Sequence, residues 1–258
     1  MYDFMSGLLA DRKGGEVFTC FGIWHWIYIA VIFSAIIAMV FALKKQSRGT
    51  RRRAAETVIN LAFGMYILDF FLMPLAYGEI DLEKLPFHMC TAMCVMCFLS
   101  RHTELFARYR VSFAILGLLS NMIYVVYPAG VGWQEIHPLC YRTVQTLLFH
   151  GVMTCYGIFV LALEDVRLKW SDSLRELKIL VMMVIWALFG NHLYNGTRGD
   201  YSYHFNWLFV IKDPFGIFPE DLAMKMMPFV VITVFYVAVL LLYVVYFGCR
   251  KAAAQKRI

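Results

Sequence analysis

The sequence predicts an all-α fold, a polytopic bundle of seven transmembrane helices with the N-terminus outside and the C-terminus in the cytoplasm. Three observations lead to this fold class. Of 258 residues, 61% are hydrophobic and 16% are charged, whereas about a quarter of the residues of a soluble domain are charged. The apolar residues form runs long enough to cross a bilayer. The basic residues stand in clusters between these runs, as is typical of membrane proteins.

A membrane-spanning helix needs about 20 apolar residues, and the chain contains seven candidate runs. The predicted spans are residues 20–43, 54–77, 85–100, 110–128, 142–163, 176–195 and 226–248. Helix is the expected conformation because every backbone amide in lipid must be hydrogen-bonded within its own segment. The third run is short, and the fourth ends at Tyr127-Pro128. The whole chain, residues 1–258, is predicted to form a single integral membrane domain.

Lysine and arginine residues accumulate on one side of the predicted bundle. The first loop holds six of them between Lys44 and Arg53, and the C-terminal tail holds four. The second loop has only Lys84, and residues 129–140 have none. Because basic loops face the cytoplasm, this pattern sets the orientation and predicts a multi-pass protein of the cell membrane. The net charge of +6 reflects this topology and predicts no nucleic-acid partner.

Ionisable and amide side chains within the spans fall in the outer halves of those spans. Such groups are costly in lipid, so each is a functional candidate. Their common depth predicts a polar cavity open to the outer side, with the long aromatic-rich sixth loop, residues 196–225, as a binding element. The expected ligand contacts are His88, Asp69, Asn121, Gln145, Asn191, His192 and Trp207. A structural alternative stays open, because polar side chains in bundles also bond neighbouring helices.

His150 and Cys90 are the candidate catalytic pair. His150 shares one helix face with Thr146 and Thr154. A cysteine with a histidine is the minimal nucleophile and base for acyl transfer. Apolar surroundings disfavour the reactive thiolate, so Cys90 needs a histidine neighbour, which His88 or His150 could supply. A site reached from the outer leaflet would suit a lipid acyl chain as substrate.

No cofactor and no metal ion are predicted. His88, His150, His192 and Asp69 are zinc-type ligands. The seven-span zinc hydrolases, however, carry an HxxxH pair in the last span, and residues 226–248 contain no histidine. These residues also lack a lysine that could form a Schiff base with retinal. No span is polar along its full length, which argues against a channel or pump.

Three segments resemble the YwaF-like family of integral membrane proteins. They are Leu85-Pro86-Phe87-His88-Met89-Cys90, residues 145–151, and the stretch from Asn191 through Asn206-Trp207-Leu208-Phe209 to Pro214. The resemblance implies a compact bundle of six or seven helices. Eukaryotic relatives are described as lipid acyltransferases that use a cysteine and a histidine, and His150 matches the histidine. The relatives hold their cysteine close to a Pro-x-His motif, in which Phe87 is the middle residue here and Cys90 lies nearby.

Three hypotheses about function remain open. The leading one is an acyltransferase or hydrolase that acts on the acyl chains of membrane lipid, with His150 as base and Cys90 as nucleophile. The second is a non-enzymatic receptor or transport component that binds a small polar ligand through His88, Asn121, His150 and Asn191. The third is a structural subunit whose polar groups only bond helices together. The sequence predicts no particular oligomeric state.

Overall fold

The computed structural model describes residues 15–77, 80–197, 205–214 and 216–255, which form helices joined by turns and loops. The longer helices are Ile23–Leu43 (α1), Arg48–Tyr77 (α2), Met89–His102 (α3), Arg110–Val126 (α4), Tyr141–Leu163 (α5), Ser173–Thr197 (α6) and Glu220–Gln255 (α7). Short helices in the connections are Leu82–Lys84, Glu104–Ala107, Ala129–Gly132, Trp170–Asp172 and Trp207–Phe209. The prediction of an all-α helical bundle is confirmed.

Six helical stretches in the described ranges are long and apolar enough to cross a membrane. They are Ile23–Leu43, Arg48–Leu75, Arg110–Gly132, Tyr141–Leu163, Trp170–Asn195 and Leu222–Lys251. Each overlaps one of the predicted spans. The predicted span at residues 85–100 has no counterpart among them, because its helix, α3, is only 14 residues long. At a rise of 1.5 Å per residue, α3 covers about 21 Å of a hydrocarbon core that is about 30 Å thick.

The segment that contains α3 nevertheless extends along the full length of α5. At one end, Lys84 Nζ lies 2.5 Å from Asp69 Oδ2, and the hydroxyl of Tyr141, the first residue of α5, donates to Asp69 Oδ1 at 3.0 Å. At the other end, Arg101 is paired with Glu164, the residue after α5. The 23 residues of α5 measure about 34 Å. This geometry favours a seventh crossing, while the count of seven and the orientation stay predictions.

By the contacts between its residues the chain divides into two compact units. The first unit comprises Met1–Leu85 and Cys90–Val166, and the second comprises Pro86–Met89 and Arg167–Ile258. The expectation of a single membrane domain stays a prediction.

Small residues let the helices of the first unit approach one another closely. A Cβ atom added at Gly157 of α5 would lie 2.5 Å from Leu118 Cβ and 2.9 Å from the Ala114 carbonyl oxygen, both in α4. One added at Gly151 would lie 3.1 Å from Ile32 in α1. Glycine at these positions permits the dispersion contacts that hold helices together in lipid. Helix α5 packs in this way against α4 and α1, and it also packs against α2.

In the second unit, two asparagines of α6 hold part of the sixth loop. The Asn191 side-chain amide donates to the Trp207 carbonyl oxygen at 3.1 Å and accepts from the Trp207 N–H at 2.9 Å. Asn195, one turn later, makes the same two bonds to Phe205 at 3.0 and 2.8 Å. The two side chains therefore bind the loop backbone as the edge of a β-strand would. We call this pair, Asn191 and Asn195, the asparagine clamp.

Phe87 packs within an aromatic group of the same unit. The centroid of its ring lies 4.8 Å from that of Trp207 and 4.9 Å from that of Trp186. A Cβ atom at Gly190 would overlap the Phe87 ring, so glycine is needed at that position. The Trp186 indole N–H donates to the Pro86 carbonyl oxygen at 2.8 Å. The middle residue of the Pro-x-His motif is thus a buried packing residue.

Replacing Asn191 with alanine is expected to destabilise the protein by about 1–3 kcal/mol for each of the two backbone groups left unpaired. The effect should be large because Asn191 is fully buried and Trp207 is 1% exposed. Thermal unfolding in detergent would measure it, and amide exchange at Trp207 should accelerate. Replacing the neighbouring exposed His192 with alanine is the matched control, with an expected change within about 0.5 kcal/mol. Equal effects of the two substitutions would contradict this account of the clamp.

Candidate functional site

A set of polar residues of the first unit lies at the N-terminal end and in the middle of α5 and on elements of the same unit. We call it the polar cluster and define it by Asp69, Lys84, Cys90, Tyr124, Tyr141 and His150. The members come from α2, from the loop before α3, from the first turn of α3, from α4 and from α5. Each of these groups would be costly if it faced lipid. Contacts join Asp69, Lys84 and Tyr141 in one group and Tyr124 and His150 in another.

His150 is 5% exposed in the middle of α5. Its Nδ1 lies 2.7 Å from the Thr146 carbonyl oxygen, one turn earlier in the helix. A carbonyl oxygen can only accept, so Nδ1 carries a proton and the neutral ring keeps its lone pair on Nε2. This tautomer is assigned from the hydrogen bond. It makes Nε2 the nitrogen that can act as a base.

Tyr124 of α4 packs directly against the histidine. Its ring stacks on His150 with the centroids 3.9 Å apart and the planes 13° from parallel. The stack fixes the plane of the imidazole and ties the position of His150 to α4.

Cys90 lies in the first turn of α3, where the backbone N–H groups point toward the helix N-terminus. Cys90 is a free thiol of intermediate exposure. Helix N-termini and nearby lysines are the usual surroundings of reactive cysteines. The Tyr66 hydroxyl donates to the Lys84 carbonyl oxygen at 2.9 Å and so holds the short helix Leu82–Lys84 against α2.

The charged members of the polar cluster neutralise one another. Asp69 is 1% exposed and is bound by Lys84 and Tyr141 at the distances given above. Outside the polar cluster, Arg142 Nη1 lies 3.9 Å from Asp81 Oδ2. The buried carboxylate thus has a cation and a hydroxyl donor, which is the condition for keeping a charge in a membrane interior.

Asn121 and Gln145 also belong to the first unit. Asn121 is fully buried and its Nδ2 donates to the Gly117 carbonyl oxygen at 2.7 Å. Its Oδ1 has no hydrogen-bond partner among the described residues. Gln145 is half-buried and accepts from the Thr146 hydroxyl at 3.5 Å, which is at the limit of a hydrogen bond.

The remaining predicted contacts lie in the second unit. His88 Nδ1 accepts from the Leu208 N–H at 3.2 Å. Asn191 and Trp207 bind one another in the asparagine clamp, and His192 is exposed on α6. The structure therefore places Cys90, His150, Asp69, Asn121 and Gln145 in one unit, and His88, Asn191, His192 and Trp207 in the other. Their roles as catalytic or ligand-binding residues stay predictions.

Sequence reasoning missed Lys84 and Tyr141 as the partners of Asp69, and Tyr66 as the donor to the Lys84 carbonyl oxygen. In the sequence, Lys84 enters only the prediction of orientation, as the one basic residue of the second loop. A signal existed, because Asp69 within a span needs a counter-charge and Lys84 is the one basic residue of the adjoining loop. In the part of the chain that the structure describes, no group of three or more histidine, cysteine, aspartate or glutamate side chains could hold a metal ion.

The six apolar helices and the buried polar cluster define a polytopic α-helical membrane protein. The model of the TMEM164 family, a transmembrane protein family, matches residues 20–246. The chain therefore belongs to the TMEM164 family. No curated protein and no solved structure matches the chain. A multi-pass membrane location follows from these findings, whereas the cell membrane in particular and the resemblance to YwaF-like proteins stay predictions.

Proposed function

We propose that this protein transfers acyl chains of membrane lipids, with Cys90 as nucleophile and His150 as base. The observation that supports the proposal is that Cys90, at the N-terminus of α3, and His150, which stacks on Tyr124, belong to one compact unit. The His150 tautomer adds support, because its hydrogen bond to Thr146 leaves the lone pair on Nε2. The apolar exterior of the helices gives lipid direct access to the protein.

In the proposed reaction, the Cys90 sulfur attacks the ester carbonyl carbon of a phospholipid while His150 Nε2 takes the thiol proton. The ester C–O bond then breaks, and the departing lysolipid oxygen takes that proton. The acyl chain remains on Cys90 as a thioester. The hydroxyl of a second lipid attacks the thioester and gives its proton to His150, which returns it to the sulfur. Water in place of that hydroxyl would give hydrolysis.

Groups around Cys90 would support this chemistry. The backbone N–H groups at the N-terminus of α3 would stabilise negative charge at the sulfur, and Lys84, six residues earlier in the chain, would add a positive charge. The same donors would stabilise the oxyanion that forms on the attacked carbonyl. Lys84 is itself held by Asp69, so its position is fixed before substrate binds.

A second candidate function is the binding of a small polar ligand without chemistry. It is favoured by Asn121, whose Oδ1 is buried without a partner among the described residues. A buried acceptor of this kind costs free energy unless a donor reaches it. A ligand hydroxyl or amide would supply that donor.

Acyl exchange in reconstituted membranes distinguishes the two functions. The protein would be placed in bilayers that contain a phospholipid with a deuterated acyl chain and a lysophospholipid acceptor, and mass spectrometry would follow the label. We expect C90A and H150Q to lower the rate at least about 100-fold, because a base alone contributes about 10²–10⁴. Intact-mass measurement should show an acyl adduct that hydroxylamine removes and that C90A lacks.

Cys155 provides the matched control, because it is a buried thiol on α5 outside the polar cluster. C155A should retain exchange and the adduct. Thermal unfolding of each variant separates loss of chemistry from loss of fold. Exchange or an adduct that persists in C90A would overturn the role of the thiol. Absence of both in the wild-type protein would leave ligand binding as the better hypothesis.

A further inference from the structure

Two adjacent carboxylates end α5 at the opposite end of the first unit from the polar cluster. Glu164 follows the last residue of α5, and Asp165 has a left-handed backbone with φ of 53°. This turn sends the two side chains to different partners. Glu164 binds arginines of α3 and α4, and Asp165 binds arginines at the start of α2.

Each of these carboxylates is shared by two guanidinium groups. Arg101 is paired with Glu164 Oε1, and Arg110 Nη2 lies 3.3 Å from Glu164 Oε2. Arg51 Nη2 lies 3.2 Å and Arg48 Nε lies 4.0 Å from Asp165 Oδ2. Two arginines therefore share each carboxylate, which leaves one positive charge in excess at Glu164 and one at the adjacent Asp165. We call these four arginines and two acids the arginine cluster.

The excess charge lies partly in the interior. The Arg101 side chain is 2% exposed and that of Glu164 is 4% exposed. A buried ion that lacks a full counter-charge is strongly unfavourable. The Tyr156 hydroxyl accepts from Arg101 Nε at 3.1 Å, but a neutral hydroxyl does not balance the charge.

Three buried N–H groups of the arginine cluster also lack an acceptor. They are Arg51 Nε, Arg101 Nη1 and Arg110 Nε, none of which has a hydrogen-bond partner among the described residues. Native proteins leave few buried donors unpaired, and each such donor calls for an explanation. The orphan donors and the excess charge are separate observations, and both point to an anion with several acceptor oxygens.

We propose that the arginine cluster binds a phosphate group. Phosphate offers up to two negative charges and several acceptor oxygens, and arginine matches its geometry with paired N–H donors. The side chains of Arg110 and Arg51 are 28% and 18% exposed. An anion can therefore reach Arg110 and Arg51 from outside, whereas Arg101 is buried.

The phosphate belongs to a lipid headgroup or to a soluble molecule, and the chemistry at the arginines is the same. A headgroup is favoured by location, because the arginine cluster lies at the ends of α5 and α4, which are candidate membrane spans. Basic sites between membrane helices on the cytoplasmic side recognise anionic headgroups. The site is distinct from the polar cluster, so its test does not depend on the proposed acyl transfer.

The test measures stabilisation by three probes. The protein would be reconstituted in phosphatidylcholine alone, in phosphatidylcholine with phosphatidic acid, and in phosphatidylcholine with inorganic phosphate in the buffer. We expect phosphatidic acid to raise the thermal unfolding midpoint of the wild-type protein. Native mass spectrometry would give the affinity, which should fall about tenfold in R110Q and in R51Q, since a charge-assisted hydrogen bond is lost in each.

Arg52 and Arg108 give matched controls, because both are exposed and neither is paired with Glu164 or Asp165. R52Q and R108Q should bind phosphatidic acid as the wild-type protein does. Stabilisation by phosphatidic acid but not by inorganic phosphate supports a lipid headgroup, and stabilisation by both supports a soluble phosphate. No stabilisation, or equal binding by R110Q, R51Q and the controls, would overturn the proposal. Using two variants guards against misfolding of either one.

Discussion

Replacing Glu164 with glutamine is expected to cost about 3–5 kcal/mol of stability. Glu164 is the shared partner of Arg101 and Arg110, and the Arg101 and Glu164 side chains are almost fully buried. The substitution keeps the shape of the side chain but leaves two guanidinium groups without their carboxylate. Chemical or thermal unfolding in detergent would measure the loss, and a double variant with Arg110→Gln should lose less than the sum of the single variants.

Asp165 provides a control in the adjacent position. It binds Arg48 and Arg51 but is 56% exposed. Surface ion pairs contribute about 0–1 kcal/mol, so Asp165→Asn should change stability little. Asparagine also tolerates the left-handed backbone at this residue. If both substitutions had the same effect, burial would not be what makes the Glu164 pairs important.

Replacing Gly157 with alanine should separate α4 from α5 and cost about 1–3 kcal/mol. The added Cβ would meet Leu118 at 2.5 Å and the carbonyl oxygen of Ala114 at 2.9 Å. Backbone on the facing helix cannot rotate away, so the helices must move. Because α4 carries Tyr124 and α5 carries His150, the ring stack between them should loosen as well.

The control for this substitution is Gly64→Ala in α2. A Cβ atom at Gly64 has nothing within 4 Å. Alanine is the better helix former by about 0.5–1 kcal/mol, so Gly64→Ala should raise the unfolding midpoint while Gly157→Ala lowers it. A stabilising effect of Gly157→Ala would show that the helix contact is looser than these distances indicate.

The helices could be predicted from sequence wherever an apolar run and a helix coincide. Residues 20–43 and 142–163 were predicted, and the helices are Ile23–Leu43 and Tyr141–Leu163. The last helix is longer than residues 226–248, because Glu220–Gln255 continues past the apolar run with alanine, lysine and glutamine, which are good helix formers. Hydropathy predicts the part of a helix that faces lipid, but it does not predict the residue at which the helix ends.

For the candidate site residues, burial could be predicted from the sequence, whereas their grouping could not. The burial of Asp69, Asn121 and His150 agrees with the expectation that polar groups in spans point inward. Depth alone does not tell which residues share a unit, because that depends on the rotation and order of the helices. For this reason the bonds between Asn191 and Trp207 and the ion pair of Lys84 with Asp69 could not be predicted from the sequence.

The asparagine clamp has a consequence for how the chain is modified during synthesis. Asn195 begins the triplet Asn-Gly-Thr, which is an acceptor sequence for N-linked glycans. In the folded protein, the Asn195 side-chain N–H donates to the Phe205 carbonyl oxygen, and its side-chain oxygen accepts from the Phe205 N–H. Phe205 is 4% exposed. A sugar on Nδ2 would have to occupy the space of that buried contact. Glycosylation and closure of the sixth loop onto α6 therefore exclude one another, and a chain that acquired the glycan before folding would be held in an open-loop form.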